Sequence, residues 1–195
     1  MKKLIPLIFI IALMSSGCEW SEDQVTIPIN INKTFPVDQT GAYSQSLQIT
    51  YHDVMDELSI PSLATIEEVN IESISVKVVV LSDNVAPAVN ISGKIQLGSS
   101  SPEVFNNYYA PLIAVDNKYV GLNTLIAEGV AGIKSKIDGY LKSKDFSSFS
   151  ITVNGNSTPI TGQKVHIQIL LKISGSAKYT VCNFQPFLMG GDNCR

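Results

Sequence analysis

The feature that most constrains the fold of this chain is an alternation of apolar and polar residues that recurs along most of its length. A two-residue period puts successive side chains on opposite faces of an extended backbone, so it is typical of half-buried β-strands. It occurs in seven stretches: 25–32, 47–51, 69–81, 89–97, 149–153, 165–173 and 179–184. The pattern predicts a mainly β protein, an antiparallel sandwich or half-barrel of about seven strands.

Two interruptions refine the strand prediction. Pro28 lies inside the first stretch and cannot donate a ladder hydrogen bond, so this strand is expected at a sheet edge. In the third stretch, Val69 and Ile71 share one phase of the alternation, whereas Ile74 begins the other phase. A bulge near residues 72–73 would explain this change of phase.

One segment, about 122–142, has the spacing of a helix instead. Its apolar residues recur at intervals of three and four: Leu122, Leu125, Ile126, Val130, Ile133, Ile137 and Tyr140. This spacing predicts an amphipathic helix packed on the sheets, with Asn123 as its N-cap. Gly129, Gly132 and Gly139 gather along one edge of the apolar stripe, where each costs helix stability. Close packing against a sheet would explain them, and so would close approach to a ligand.

The longest stretch without clear periodicity is 97–121, which is expected to be an irregular loop. It contains "FNNYYAP", in which Asn106, Asn107, Tyr108 and Tyr109 form the candidate binding residues. Tyrosine supplies rigid amphipathic area and asparagine supplies adaptable hydrogen bonds, a mixture suited to proteins or sugars. The alternative is that both tyrosines cover one end of the core.

Residues suited to catalysis or metal binding are sparse. His52 precedes Asp53, Asp56 and Glu57, a group that could ligate a cation but resembles more closely a short helical turn with acids near its positive end. His166 is on the polar phase of its strand, where a solvated role is expected. We find no nucleophile elbow and no phosphate-binding glycine loop. The interpretation is a non-catalytic domain without metal or cofactor, and a glycosidase-like enzyme ranks last.

The chain begins "MKKLIPLIFIIALMSSGC", with Lys2 and Lys3 followed by an apolar run too short to span a bilayer. Small residues 15–17 then precede Cys18, and this segment resembles the lipobox of bacterial lipoproteins. The resemblance covers residues 1–18 and implies that the peptide before Cys18 is removed and that the cysteine is acylated. The alternative is an ordinary signal peptide, which would leave Cys18 as a thiol.

These observations define three parts of the chain. Residues 1–17 are predicted to be a lipoprotein signal peptide, residues 18–24 an acidic tether, and residues 25–195 a single β-rich domain. The resemblance implies a location in the bacterial cell envelope, lipid-anchored in the outer membrane and facing the periplasm or the surface. Several acyl chains hold a protein on a membrane where a single chain exchanges.

The other two cysteines are Cys182 and Cys194. An exported protein meets an oxidising compartment, so we predict that they form a disulfide around a loop containing Pro186, Gly190 and Gly191. Two free thiols are the alternative, and a metal site is disfavoured because no further ligand lies nearby in the sequence.

Charge limits the partners. The chain has 14 basic and 17 acidic residues, and two of the basic ones belong to the signal segment. This balance disfavours nucleic acid, whose binding requires clustered cations. The expected function is therefore binding or structural interaction at the envelope, with an envelope protein or a glycan as partner. The alternative is a carrier that holds a lipid or other apolar ligand in a cavity between the sheet and the helix.

Overall fold

A computed structural model describes residues 18–56, 58, 60–61, 63–112 and 118–186, with side chains described within 23–181. The predicted signal peptide lies outside these residues. The strands are β1 (Cys18–Thr40), β2 (Tyr43–Ile49), β3 (Thr65–Val80), β4 (Ala88–Gln96), β5 (Glu103–Pro111), β6 (Val120–Gly121), β7 (Phe149–Thr158) and β8 (Lys164–Pro186). The helices are α1 (Tyr51–Met55) and α2 (Ala127–Ser143).

The strands form two antiparallel sheets of four, as the alternation predicts. Sheet A has the order β1-β8-β3-β6, and sheet B has the order β2-β7-β4-β5. Their apolar faces meet in one core. In sheet A, for example, Ile173 of β8 lies opposite Ile31 of β1 and Ile74 of β3, and all three side chains are buried. Each such burial contributes about 1.5–3 kcal/mol. The fold is a β-sandwich with a packed helix.

Both refinements of the strand pattern are confirmed. β1, which contains Pro28, is an edge strand of sheet A, so the missing N–H donor costs no ladder bond there. β3 shifts its register against β8 between Ile71 and Ser73, at the position of the predicted bulge, and again between Ile66 and Glu68. A single long strand can therefore change the face on which its apolar side chains lie.

The helix begins later than the sequence pattern predicts. α2 runs from Ala127, and its N-cap is Ile126 without a side-chain cap hydrogen bond, so Asn123 is not the N-cap. The preceding residues form extended backbone instead: the Leu122 N–H donates to the Ile74 carbonyl at 3.0 Å, and the Ile126 N–H donates to the Val104 carbonyl at 2.9 Å. Residues 122–126 therefore stay outside the helix despite their helical spacing, because their backbone forms hydrogen bonds with strands of both sheets.

The stretch 97–121 is not the irregular loop expected from its sequence, because it contains β5 and β6. β5 is an edge strand of sheet B and β6 is an edge strand of sheet A. The stretches 165–173 and 179–184, predicted as separate strands, both belong to β8, which runs unbroken for 23 residues. The described part of the chain thus has eight strands where about seven were predicted.

The segment predicted to be an acidic tether is strand backbone. Residues 18–24 begin β1 and pair with residues 180–186 of β8. β3 joins β8 at Thr65, opposite Thr180, so beyond that point β1 and β8 continue as a two-stranded ribbon. Cys18 lies at the end of this ribbon, opposite Pro186.

Helix α2 lies between the two sheets, in contact with β3 on one side and with β4 and β5 on the other. Its glycines explain the close approach. A β-carbon at Gly129 would overlap the Glu103 carbonyl group, and one at Gly132 would lie 2.7 Å from Leu97 Cδ1. Gly129 and Gly132 therefore pack against sheet B, whereas Gly139 lies near Asp145. Neither described helix is long and apolar enough to cross a membrane.

Two alanine substitutions on α2 should change stability in opposite directions. Gly129→Ala forces a methyl group into the β5 backbone and should lower the free energy of unfolding by about 1–3 kcal/mol. Gly139→Ala should raise it by up to about 1 kcal/mol, because its nearest neighbour would be Asp145 at an ordinary 3.6 Å. Urea unfolding followed by circular dichroism measures both. A Gly129→Ala variant as stable as the parent would contradict the close packing of α2 on β5.

Candidate functional site

The predicted binding residues 106–109 lie on edge strand β5 of sheet B. Asn106 and Asn107 interrupt its pairing with β4, since Tyr108 lies opposite Ile91 and Phe105 lies opposite Gly93. Two residues of β5 therefore face Ser92 alone, which makes a β-bulge. Asn107 has a φ of 52°, a left-handed conformation that asparagine tolerates better than most residues.

Ser92 holds this bulge in place. Its hydroxyl donates to Asn106 Oδ1 at 2.8 Å and accepts from the Asn107 backbone N–H at 3.1 Å. The Asn106 amide group in turn donates to Glu103 Oε2 at 3.2 Å. Both asparagine side chains are exposed, so the bulge presents ordered amide groups to solvent.

The bulge also separates the two tyrosines. Tyr108 pairs with the buried Ile91, packs against the core and is partly buried, which raises its pKa above the ordinary value of 10.0. Tyr109 pairs with Asn90 and remains 57% exposed. The structure therefore brings Asn106, Asn107 and Tyr109 to one exposed edge, whereas Tyr108 has the core-covering role considered as the alternative.

A second feature, which the sequence did not reveal, is a pocket beside the two helices whose surface is as polar as it is apolar. We name it the α1–α2 pocket; its volume is about 250 Å³. Its lining comes from α1, the chain that follows it, the start of β3 and the end of α2: Tyr51, Met55, Ile60, Pro61, Ala64, Ile66, Leu141 and Lys144. No local sequence period connects these residues, because they come from segments about 80 residues apart.

Two exposed apolar side chains flank this pocket. Leu63 follows the lining residue Pro61 and is 78% exposed. Phe146 is 68% exposed, and its ring centroid lies 4.7 Å from that of the lining residue Tyr51. Large apolar groups exposed around a concavity are typical of interaction sites.

The described acids near His52 have different partners: Asp56 lies 3.5 Å from His52 Nδ1, and Asp53 is paired with Lys33. Thr50 and Asp53 form a capping box at the start of α1, and Lys33 Nζ lies 2.8 Å from Asp53 Oδ1. Burial opposes ionisation of Asp53, but the hydrogen bonds from Lys33 and Thr50 still lower its pKa. Glu57 lies outside the described residues, which contain no group of three or more potential ligands placed to hold a metal ion. Asp53 thus stabilises a helix start.

His166 has partners that its position on the strand did not predict. Its Nδ1 contacts Asp83 Oδ1 and lies 2.8 Å from the Ser82 carbonyl oxygen. Lys164 also contacts Asp83 and lies 3.4 Å from Asp38. Hydrogen bonding to Asp83 and then to Ser82 raises the pKa of His166, and the same network lowers the pKa of Asp83. This charge cluster joins β1, β8 and the β3–β4 connection.

The cysteine predictions depend on residues that are described in part or not at all. Cys194 lies outside the described residues, so the Cys182–Cys194 disulfide stays a prediction. The backbone of Cys182 belongs to β8, opposite Glu22 of β1. Cys18, the predicted lipidation site, is the first residue of β1.

No protein family and no curated protein matches this sequence. Among solved structures, the chain is similar to crystal structures of the BFDV capsid protein as a decamer and as a 60-mer. The TM-scores are 0.40 and 0.36 and the identities are 8% and 10%. The matches cover 80% and 90% of this chain and 99% and 98% of those chains. Nothing about function follows from similarities this low.

The charge cluster should make stability depend on pH. The folded-state pKa of His166 is above its ordinary 6.5, so the contribution of protonated His166 to folding stability is fully present below about pH 6.5. It is lost as the pH rises through the folded-state pKa. We therefore expect NMR titration to give a His166 pKa above 6.5 that falls in Asp83→Asn. Asp56→Asn, which lies outside the cluster, serves as the control; an unchanged His166 pKa in Asp83→Asn would contradict the pairing.

Proposed function

We propose that this protein is a bacterial lipoprotein, held in the cell envelope by acyl chains on Cys18, whose β-sandwich binds a partner and does not catalyse a reaction. The observation that carries this proposal is the sequence of residues 1–18, which resembles a lipoprotein signal and its lipobox.

Cys18 pairs with Pro186 at the end of β8. An acyl group on Cys18 would be joined to the sandwich through a hydrogen-bonded ribbon. Val25 pairs with Tyr179, which in turn pairs with Ile66 of the α1–α2 pocket. Seven strand residues separate Cys18 from Val25, or about 23 Å. The ribbon would therefore hold the pocket end of the sandwich near the bilayer.

Intact mass spectrometry of protein purified from the membranes of a bacterial host tests the anchor. The expected mass is that of a chain starting at Cys18 plus acyl groups, and Cys18→Ala should lose both the acyl mass and the membrane association. Cys182→Ala is the matched control, because it removes a cysteine that the lipobox does not include. An unacylated, soluble wild-type product would overturn the proposal.

Carriage of a lipid or other apolar ligand is the second candidate function, favoured by the α1–α2 pocket and its exposed apolar rim. The pocket differs from the cavity expected from the sequence. The glycine edge does not line it, because Gly129 and Gly132 contact sheet B. Lys144 lies at the end of α2 among the lining residues, and its cation suits an amphiphile with an anionic head group.

A pocket-filling substitution tests this second function. Ala64→Trp should lower affinity for a fluorescent long-chain fatty acid at least about tenfold, since the indole would occupy the space of the acyl chain. Val85→Trp is the control: Val85 is 62% exposed and lies in the β3–β4 connection, away from the pocket. Equal binding by both variants, or no binding by the parent protein, would exclude the pocket as a fatty-acid site.

A further inference from the structure

The outward face of sheet B has an unusual composition. Its strands alternate, so every second side chain points away from the core. Most of these outward residues are polar: Ser44, Ser46, Gln48, Asn90, Ser92, Lys94, Gln96, Glu103, Asn106, Tyr109, Ser150, Thr152, Asn154 and Asn156. At one end of the sheet the same phase continues with Ala88, Pro111 and Thr158. In the described strands of sheet B, the outward charges are Lys94 and Glu103, which lie 3.7 Å apart and cancel. We name this surface the amide–hydroxyl face.

The strand register arranges these groups in rows across the sheet. Asn154 lies opposite Ser44 on one side and Ser92 on the other, and Ser92 adjoins the bulge at Asn106. In the next row Thr152 lies opposite Ser46, and its hydroxyl donates to that of Ser46 at 3.1 Å. Within a row, neighbouring groups are separated by the spacing of strands, about 4.8 Å, and successive rows are about 6.8 Å apart along each strand.

The outward face of sheet A provides an internal comparison. It also carries amides and hydroxyls, among them Asn30, Asn32, Gln168, Ser174 and Ser176, but these alternate with titratable side chains: Lys77, Lys164, His166, Lys172, Lys178 and Asp38. The two faces belong to one domain and meet the same solvent. What distinguishes sheet B is therefore its scarcity of charge, since the outward charges of its described strands are limited to the Lys94–Glu103 pair.

Asparagine recurs within the strands of both sheets, at Asn30, Asn32 and Asn70 in sheet A as well as on the amide–hydroxyl face. It is depleted in β-strands because its side chain competes for backbone hydrogen bonds. Yet Asn90, Asn106, Asn154 and Asn156 all lie within strands of sheet B, and all four lie on the outward face or at its bulge. Positions that oppose local propensity are expected where function requires them.

One edge of the amide–hydroxyl face has an aromatic group. Tyr109 lies beside Asn90 at the end of the row that continues to Asn156. Its ring is more than half exposed and belongs to a strand whose backbone is held by β4. Amide and hydroxyl groups both donate and accept hydrogen bonds, as sugar hydroxyls do, and an exposed aromatic ring offers an apolar face to a sugar ring.

We propose that the amide–hydroxyl face binds an uncharged oligosaccharide chain, with Tyr109 as its stacking platform and the rows through Asn90, Ser92 and Asn154 as its hydrogen-bonding surface. The proposal names a partner for the binding role given above and rests on it. A polyanion would find no cluster of cations here, and a charged glycan would gain nothing from the paired Lys94 and Glu103. The ligand class is therefore neutral.

A glycan array carrying neutral and anionic oligosaccharides tests the ligand class with the intact protein purified in detergent. The expected signal is confined to neutral glycans. Calorimetry on a bound neutral oligosaccharide should then give an affinity that is unchanged between about 50 and 200 mM salt, because no ion pair forms. Absence of any signal, or a signal confined to anionic glycans, would overturn the proposal.

Substitutions locate the binding surface. Tyr109→Ala should weaken binding about tenfold and Tyr109→Phe by less than about threefold, because the ring remains. Tyr119→Ala removes another exposed tyrosine, which lies beside β6 of sheet A, and should leave affinity unchanged. Asn154→Ala tests the hydrogen-bonding row with little risk to the fold. Binding that survives both Tyr109→Ala and Asn154→Ala would show that the glycan lies elsewhere.

The two proposals can fail separately. If Cys18 is acylated but no neutral glycan binds, the lipoprotein proposal stands and the amide–hydroxyl face has another role. If glycan binding depends on Tyr109 but the protein is not acylated, the glycan site stands on a freely secreted domain.

Discussion

The structure depends on the hydrogen bonding of β8 along both of its edges. β8 pairs with β1 over its whole length and with β3 from Thr180 to Ile167, so it lies at the centre of sheet A. Gly175 permits this pairing, because any β-carbon there would overlap the Asn70 carbonyl oxygen beside the second β3 bulge. The bulge lets β3 follow β8 and still turn its apolar residues toward the core. The ribbon that ends at Cys18 is a continuation of the same β1–β8 ladder.

The second constraint is the helix between the sheets. α2 can lie against β5 because Gly129 has no side chain, and it is held at its other end by Tyr140, whose hydroxyl is 2.9 Å from the Ile49 carbonyl oxygen. Burial is the largest influence on that hydroxyl and raises the pKa of Tyr140 to about 12, so it stays protonated as a donor at neutral pH. The α1–α2 pocket is lined by Leu141 and Lys144, which follow Tyr140 along the chain at this end of α2.

Local alternation predicted the sandwich, the edge position of β1 and the bulge in β3, because each depends on neighbouring residues alone. It failed where tertiary contacts use both faces of a segment. Val104 and Phe105 are both buried, one after the other, since β5 packs against α2 as well as the core, and the bulge at Asn106 then shifts the period. Tertiary contacts also explain why the helix starts later than predicted, because Leu122 and Ile126 donate hydrogen bonds to strands. Composition was enough to find the candidate residues at 106–109. Their division by the bulge and the rows of sheet B could be seen only from the strand register, and the pocket only from the packing of distant segments.

The arrangement separates three kinds of chemistry along the sandwich. The α1–α2 pocket lies near the ribbon, the His166 cluster lies opposite Asp38 near the far end of β1, and the amide–hydroxyl face covers one side between them. An anchor at Cys18 would direct the strands away from the bilayer, so the face of sheet B would stand along the membrane normal, where a glycan can reach it without first crossing the lipid surface. An apolar ligand would instead enter beside the two helices, where Leu63 and Phe146 are exposed. Helix α2 contributes to the pocket and packs on the inner side of sheet B, whereas the amide–hydroxyl face is the outer side of the same sheet. One rigid fold can therefore keep the two proposed sites apart.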